Sequence, residues 1–152
     1  MGPLRLVSFA LLAVLLLAGC GTVTVTPPAP TPADFTGIAT ELTKRGLVLD
    51  KLVSGDAGCD DQTLTQTAIG FDAKGLDQAD PVRLRIYIFR NRDAFERLRS
   101  TVDTCARSYV TDPDTYETFE QSPYVLTGVG PFPPKFKAVL EKALEAAAGT
   151  GD

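Results

Sequence analysis

The sequence contains no histidine and no tryptophan, and it has one methionine and three cysteines. The lack of histidine excludes Ser-His-Asp and Cys-His catalysis and every histidine-ligated metal site. No Gly-x-Ser-x-Gly nucleophile elbow occurs either. We therefore predict no catalytic residue, no metal site and no cofactor. A serine–lysine pair or a carboxylate pair remains open as an alternative, but neither has a spacing that marks it.

The N-terminal apolar run is too short to cross a membrane. It extends from Leu6 to Leu17, contains only Ser8 as a polar residue, and follows the basic residue Arg5. This run of roughly 12 residues compares with about 20 for an ordinary membrane span. A secretory signal has these three parts: a weakly positive start, an apolar run, and small residues after it.

The apolar run ends at Leu17-Ala18-Gly19-Cys20, which resembles the lipobox of bacterial lipoprotein precursors. In that family the signal peptide is removed before the cysteine, whose sulfur receives a diacylglycerol. The resemblance implies that residues 1–19 are a signal peptide and that Cys20 is the lipidation site. The mature protein would then be anchored to the lipid membrane of the bacterial cell envelope. It would sit on the outer face of the cytoplasmic membrane or on the outer membrane.

A proline-rich stretch separates Cys20 from the first segment with helical periodicity. Residues 21–33 contain four prolines and many threonines and alanines. This composition favours extended polyproline II at about 3.1 Å per residue, which gives a reach of roughly 40 Å. We therefore predict a tether at residues 20–33, followed by a single α+β domain at residues 34–152.

The predicted mature chain is weakly acidic. The formal charge of the full sequence is −4, and removing Arg5 with the signal peptide makes it −5. An acidic surface outside the cytoplasm argues against general nucleic-acid binding. We expect the lipid membrane as one partner and a protein or a small anionic ligand as another, with no nucleic acid.

Hydrophobic periodicity predicts three helices in the domain. The first spans about residues 33–45. The second spans about residues 92–108 and begins after Asn91, a residue type that caps helix N-termini. The third opens at Pro133 and Pro134, since proline suits the first helical position.

Alternating and threonine-rich segments predict four or five strands. These are residues 47–53, 64–71, 82–89, 116–120 and 124–126, with a polar connection at 72–81 and a turn at 128–131. Because consecutive strands are joined by short links, neighbouring strands should pair antiparallel. We predict a two-layer α+β fold, a mainly antiparallel sheet of about four to five strands with helices on one face.

Two cysteines remain after Cys20, and both lie in the predicted domain. Export places them in an oxidising compartment, where an even number of cysteines suggests a disulfide. We predict the bridge Cys59–Cys105, which would join a glycine-rich loop to the buried stripe of the second helix. The alternative is a free buried thiol at Cys105 and a surface thiol at Cys59.

Three aspartates accompany Cys59 in its loop, namely Asp56, Asp60 and Asp61. A calcium loop of the EF-hand type needs alternate oxygen ligands, a fixed glycine and a distal glutamate. That spacing is absent, so we predict a solvated turn.

Seven of the nine arginines lie between Arg83 and Arg107. On the predicted strand, Arg83, Arg85 and Tyr87 share one face, which suits a carboxylate or a phosphate. These three are our candidate ligand-binding residues, and pairing of the arginines with acids is the alternative. On the helix, pairing is the favoured interpretation because four pairs lie four residues apart: Arg92–Glu96, Asp93–Arg97, Arg99–Asp103 and Asp103–Arg107.

Four aromatic residues cluster towards the end of the chain, namely Tyr116, Phe119, Tyr124 and Phe132. They either line a ligand groove or pack in the core. Core packing is favoured because a domain without tryptophan needs its few aromatic side chains inside.

These features predict a membrane-anchored extracytoplasmic lipoprotein that acts as a non-enzymatic binding or accessory module. The alternatives are a small carboxylate-based hydrolase of the cell envelope and a purely structural envelope protein. A deep cleft with two facing acids of perturbed pKa would favour the hydrolase. A shallow surface lined by arginine and tyrosine would favour the binding module.

Overall fold

The computed structural model describes residues 35–148. The helices are α1 (Thr36–Lys44), the single turn α2 (Gln62–Thr65), α3 (Arg92–Ala106) and α4 (Pro134–Ala148). The strands are β1 (Val48–Ser54), β2 (Ala68–Gly75), β3 (Gln78–Ile88), β4 (Tyr116–Gln121) and β5 (Tyr124–Val129). Among these described residues, no helix has the length and apolar character needed to cross a membrane. The predicted signal peptide, Cys20 and the tether lie outside them.

The five strands form one sheet in the order β1-β2-β3-β5-β4. Every neighbouring pair is antiparallel. The predicted α+β class and the mainly antiparallel sheet are therefore confirmed. The central strand is β3, whose strict alternation of side chains gives the sheet two different faces.

One face of the sheet packs against α1 and α4. Leu84 and Ile86 of β3 are completely buried there, together with Phe35, Leu42 and Phe136 from the helical layer. Two of the four clustered aromatics, Phe119 and Phe132, also lie in this core, as the core interpretation predicts.

The other face of the sheet packs against α3, which corrects the prediction that the helices share one face. Val102 and Cys105 of α3 are buried against Tyr87 and Val125 of the sheet. The reason lies at the end of β3, where Tyr87 and Phe89, the residue directly after the strand, alternate with the apolar residues of the first face. Both faces of the strand are apolar at this end, so both need a cover.

The start of β2 was predicted too early. Residues 62–65 form the turn α2, because Asp61 caps it: its Oδ1 accepts hydrogen bonds from the backbone N–H groups of Thr63 at 2.9 Å and Leu64 at 3.0 Å. An aspartate cap of this kind favours a helical turn over a strand.

The predicted polar connection at 72–81 is instead a tight hairpin between β2 and β3. Gly75 pairs with Gln78, and Leu76 takes the left-handed φ of 57°. Asp77, at the tip, accepts hydrogen bonds from the backbone N–H groups of Lys135 and Phe136, both at 2.9 Å. It therefore caps α4 from a distant part of the chain.

Candidate functional site

The predicted ligand-binding arginines lie on the α3 face of the sheet and contact an aspartate of the Cys59 loop. Arg83 Nη2 lies 2.6 Å from Asp56 Oδ2, and Arg85 Nε lies 3.0 Å from Asp56 Oδ1. Arg83 also pairs with Asp72, Nη1 to Oδ1 at 3.2 Å. The guanidinium of Arg85 lies over the ring of Tyr109, 4.2 Å from its centroid. Arg83 and Arg85 therefore pair with acids, which is the alternative to ligand binding considered from the sequence.

Tyr87 is the third predicted ligand residue, and its side chain is completely buried. Its hydroxyl donates a 2.8 Å hydrogen bond to the backbone carbonyl of Ala57. Burial raises the pKa of Tyr87, so the hydroxyl stays protonated and keeps donating. Tyr87 thus binds the Cys59 loop from the sheet, on the same face as Arg83 and Arg85.

The disulfide predicted from the sequence is present. Cys59 and Cys105 have Cα atoms 5.5 Å apart, inside the range for a bridge. Two glycines let the loop approach the sheet closely. A Cβ at Gly58 would lie 2.5 Å from the ring of Tyr109, and one at Gly70 would clash with Asp56 Oδ2. The loop is therefore fastened to α3 by the disulfide, and to the sheet by the Asp56 ion pairs and the Tyr87 hydrogen bond.

The three loop aspartates do not form the solvated turn that we predicted. Asp56 is half-buried in its ion pairs, and Asp61 caps α2. Asp60 alone is exposed. Within residues 35–148, no group of three or more cysteine or acidic side chains is placed to hold a metal ion.

Asp56→Asn is expected to lower the free energy of unfolding at pH 7 by about 2 kcal/mol, because it removes the carboxylate that both Arg83 and Arg85 contact and leaves Arg83 with Asp72 alone. Burial alone would raise the pKa of Asp56, but the hydrogen bonds and charges of Arg83 and Arg85 outweigh it and lower the pKa. A carboxyl group whose pKa is lowered in the folded state stabilises above its unfolded pKa of about 4, and this contribution is lost as the pH falls through the folded value.

Urea unfolding between pH 7 and pH 2 measures this effect. The difference between the wild type and Asp56→Asn should be constant above about pH 5 and should shrink below it. The control is Asp80→Asn, which changes an exposed carboxylate. Wild-type and Asp56→Asn profiles that remain parallel down to pH 2 would show that the Asp56 charge does not stabilise the fold.

A groove of about 460 Å³ lies between α3 and the edge strand β4. Its lining comes from one stripe of α3, from the segment that follows this helix, and from the outer face of β4: Arg99, Asp103, Ala106, Arg107, Val110, Pro113, Tyr116 and Thr118. The spacing of 99, 103 and 107 places these three residues on one side of the helix. Alternation along β4 directs Tyr116 and Thr118 to that side, opposite the buried Phe119.

Arg99 lies at the closed side of the groove, with only 17% of its side chain exposed. Its Nη1 lies 2.7 Å from Asp103 Oδ1, and its Nη2 pairs with Glu120. Burial alone would lower the pKa of Arg99, but the two carboxylates outweigh it and raise the pKa. The contact with Asp103 is close but poorly aligned, so Nε and Nη1 have no hydrogen-bond acceptor within the described residues.

Asp103 contacts both Arg99 on its own helix and Tyr116 on β4, the opposite wall of the groove. The Tyr116 hydroxyl donates a 2.8 Å hydrogen bond to Asp103 Oδ1. Burial, followed by this hydrogen bond, raises the pKa of Tyr116. Asp103 therefore connects α3 to β4 across the groove.

Two of the four predicted helical ion pairs form, Arg92–Glu96 and Arg99–Asp103. Because Asp103 faces Arg99 and Tyr116, it does not pair with Arg107, and within residues 35–148 no carboxylate lies within 4 Å of that exposed guanidinium. From the sequence, Arg99, Asp103 and Arg107 were predicted to form separate helical ion pairs, and Tyr116 was predicted to pack with other aromatic residues. The i, i+4, i+8 spacing of Arg99, Asp103 and Arg107 was the signal that could have grouped them.

Comparison of the chain with protein-family models, with curated proteins and with solved structures gives no match.

Proposed function

We propose that this protein is a lipid-anchored, extracytoplasmic module that binds a small molecule in the groove between α3 and β4. The observation that carries the proposal is the groove itself, a partly open depression of about 460 Å³ lined by Arg99, Arg107 and Tyr116. Volumes of about 300–1,000 Å³ are typical of small-molecule sites. An arginine- and tyrosine-lined surface is the feature that distinguishes a binding module from a hydrolase here.

The chemistry of the lining supports binding over hydrolysis. Asp103 is the one carboxylate among the lining residues, and it is occupied by Arg99 and Tyr116. A carboxylate-based hydrolase needs two acids whose pKa values are pushed apart. Within the described residues, the carboxyl groups with a shifted pKa are Glu41, Asp56, Asp72 and Asp77, and all four are shifted down. A lowered pKa keeps a carboxylate charged and removes it as a proton donor near neutral pH.

The anchoring part of the proposal rests on the lipobox at residues 17–20 and on the tether that follows it. Acylated Cys20 would hold the protein at the membrane, and the tether would keep the groove up to roughly 40 Å from the lipid surface. A site held near a membrane meets small molecules that cross or collect at that membrane.

Binding in the groove can be tested by methyl NMR on the full chain in phospholipid nanodiscs. We expect members of a fragment library to shift the methyl signals of Val110, which lines the groove, and to leave Val48 unchanged. Val48 lies on β1, at the opposite edge of the sheet.

Thr118→Trp should abolish the shifts, because it fills the groove from an exposed position of β4 with a residue that strands tolerate. The matched control, Thr104→Trp, adds the same bulk to an exposed position of α3 outside the groove and should leave the shifts intact. If no fragment moves the Val110 signals, or if both variants behave alike, the groove is not a binding site.

A further inference from the structure

We propose that the ligand of the α3–β4 groove is a compact organic carboxylate, a molecule with one anionic group on an apolar body. This inference rests on the proposed binding function and specifies the ligand class. Three properties of the groove support this ligand class: a cation that forms no ion pair within residues 35–148, an excess of hydrogen-bond donors, and an apolar wall.

Arg107 supplies the cation. It is exposed at the end of α3, it lines the groove, and within the described residues it forms no ion pair. A guanidinium presents paired N–H donors that match the two oxygens of a carboxylate. Arg99 adds a second positive charge, but its two partners Asp103 and Glu120 carry two negative charges, so Arg107 is the guanidinium left for a ligand. The charged lining residues are thus two arginines and one aspartate.

The polar groups of the groove offer more hydrogen-bond donors than free acceptors. Asp103 Oδ1 is already engaged with Arg99 and with the Tyr116 hydroxyl, which leaves Oδ2 as the acceptor of this carboxylate. The Thr118 hydroxyl accepts from Arg99 Nη2 at 3.4 Å, which leaves its own proton to be donated. A ligand that carries acceptors therefore fits this site, whereas an ammonium group would be repelled by the guanidinium of Arg107.

The remaining lining is apolar and selects the body of the ligand. Ala106, Val110 and Pro113 lie beside the ring of Tyr116 along the groove. A strongly hydrated dianion such as phosphate would lose its water here without gaining enough hydrogen bonds. An apolar body gains free energy when it leaves water for an apolar wall. A molecule with one carboxylate and a small hydrocarbon body therefore matches both the guanidinium of Arg107 and the apolar wall.

The test compares three probes of nearly equal shape and different charge: benzoate, benzamide and benzylammonium. Each is titrated into the full chain in nanodiscs while the Val110 and Val48 methyl signals are recorded, with empty nanodiscs as the partition control. We expect benzoate to shift Val110 with saturation and to bind about tenfold more tightly than benzamide, the equivalent of one charge-assisted hydrogen bond. Benzylammonium should bind weakest.

Arg107→Ala should lower the affinity for benzoate by about tenfold and leave that for benzamide nearly unchanged. Arg97→Ala, at another exposed position of α3 outside the groove, is the matched control and should bind benzoate as the wild type does.

Three results would overturn the inference, and they differ in what they leave standing. If benzamide or benzylammonium shifts Val110 as strongly as benzoate and Thr118→Trp removes the effect, the groove binds ligands but the carboxylate class is wrong. If benzoate, benzamide and benzylammonium all leave Val110 unmoved while library fragments shift it, the class is again wrong. If neither these probes nor any fragment moves Val110, the proposed binding function fails as well.

Discussion

Replacing Cys59 and Cys105 together with alanine is expected to lower the free energy of unfolding by about 4 kcal/mol. The bridge closes a loop with a sequence separation of 46 residues, so its loss gives the unfolded chain much more conformational freedom. A typical domain has a total stability of about 5–15 kcal/mol, so this is a large share. Urea unfolding followed by circular dichroism measures the difference, and reduction of the wild type should reproduce it.

The Cys59 loop should remain near the sheet in the folded double variant. Asp56 still pairs with Arg83 and Arg85, and Tyr87 still donates to Ala57. We therefore expect a folded but less stable protein, not a rearranged one. Thiol counting on the denatured, unreduced wild-type domain is the control. Two free thiols, or a double variant that unfolds at the wild-type urea concentration, would refute a stabilising bridge.

Cys20→Ala is expected to leave the protein as an unprocessed precursor without acyl chains. The lipobox requires the cysteine sulfur as the acceptor of the diacylglycerol, so both lipidation and the cleavage that follows it should stop. Mass spectrometry of the N-terminal peptide from the membrane fraction should show acylated Cys20 in the wild type and a peptide that still contains residues 1–19 in the variant.

The control for this experiment is Thr22→Ala, which changes the tether two residues after Cys20. It should be acylated and cleaved as the wild type is. A wild-type protein that is cleaved but carries an unmodified Cys20 would contradict the lipoprotein assignment and leave an ordinary secreted domain.

The elements that the sequence predicted well are those with strong local signals. The alternation of β3 placed Leu84 and Ile86 on one face and Arg83, Arg85 and Tyr87 on the other, as the structure has them. Asn91 caps α3 as predicted, with its Oδ1 accepting from the backbone N–H of Ala94 at 2.9 Å. These features depend on neighbours within a few residues, which the sequence displays directly.

The candidate site was less predictable because it depends on contacts between distant parts of the chain. Arg83 and Arg85 were correctly placed on one face, but their partner Asp56 lies 27 and 29 residues earlier. Nothing in the local spacing says which of several aspartates will meet two arginines. The antiparallel register of β1, β2 and β3 makes that choice when it brings the Cys59 loop over the sheet.

The sequence by itself determined the strand alternation and the capped helix, and it predicted the disulfide because two cysteines lie in the predicted domain. Only the tertiary structure decided that helices cover both faces of the sheet and that Asp103 faces Arg99 and Tyr116 instead of Arg107. The physical reason is the separation along the chain over which each interaction acts. Side-chain period and capping act within one or two turns, whereas the partner of a charge is set by which elements the buried apolar faces bring together. That long-range choice leaves Arg107, beside the groove, without an ion pair among residues 35–148.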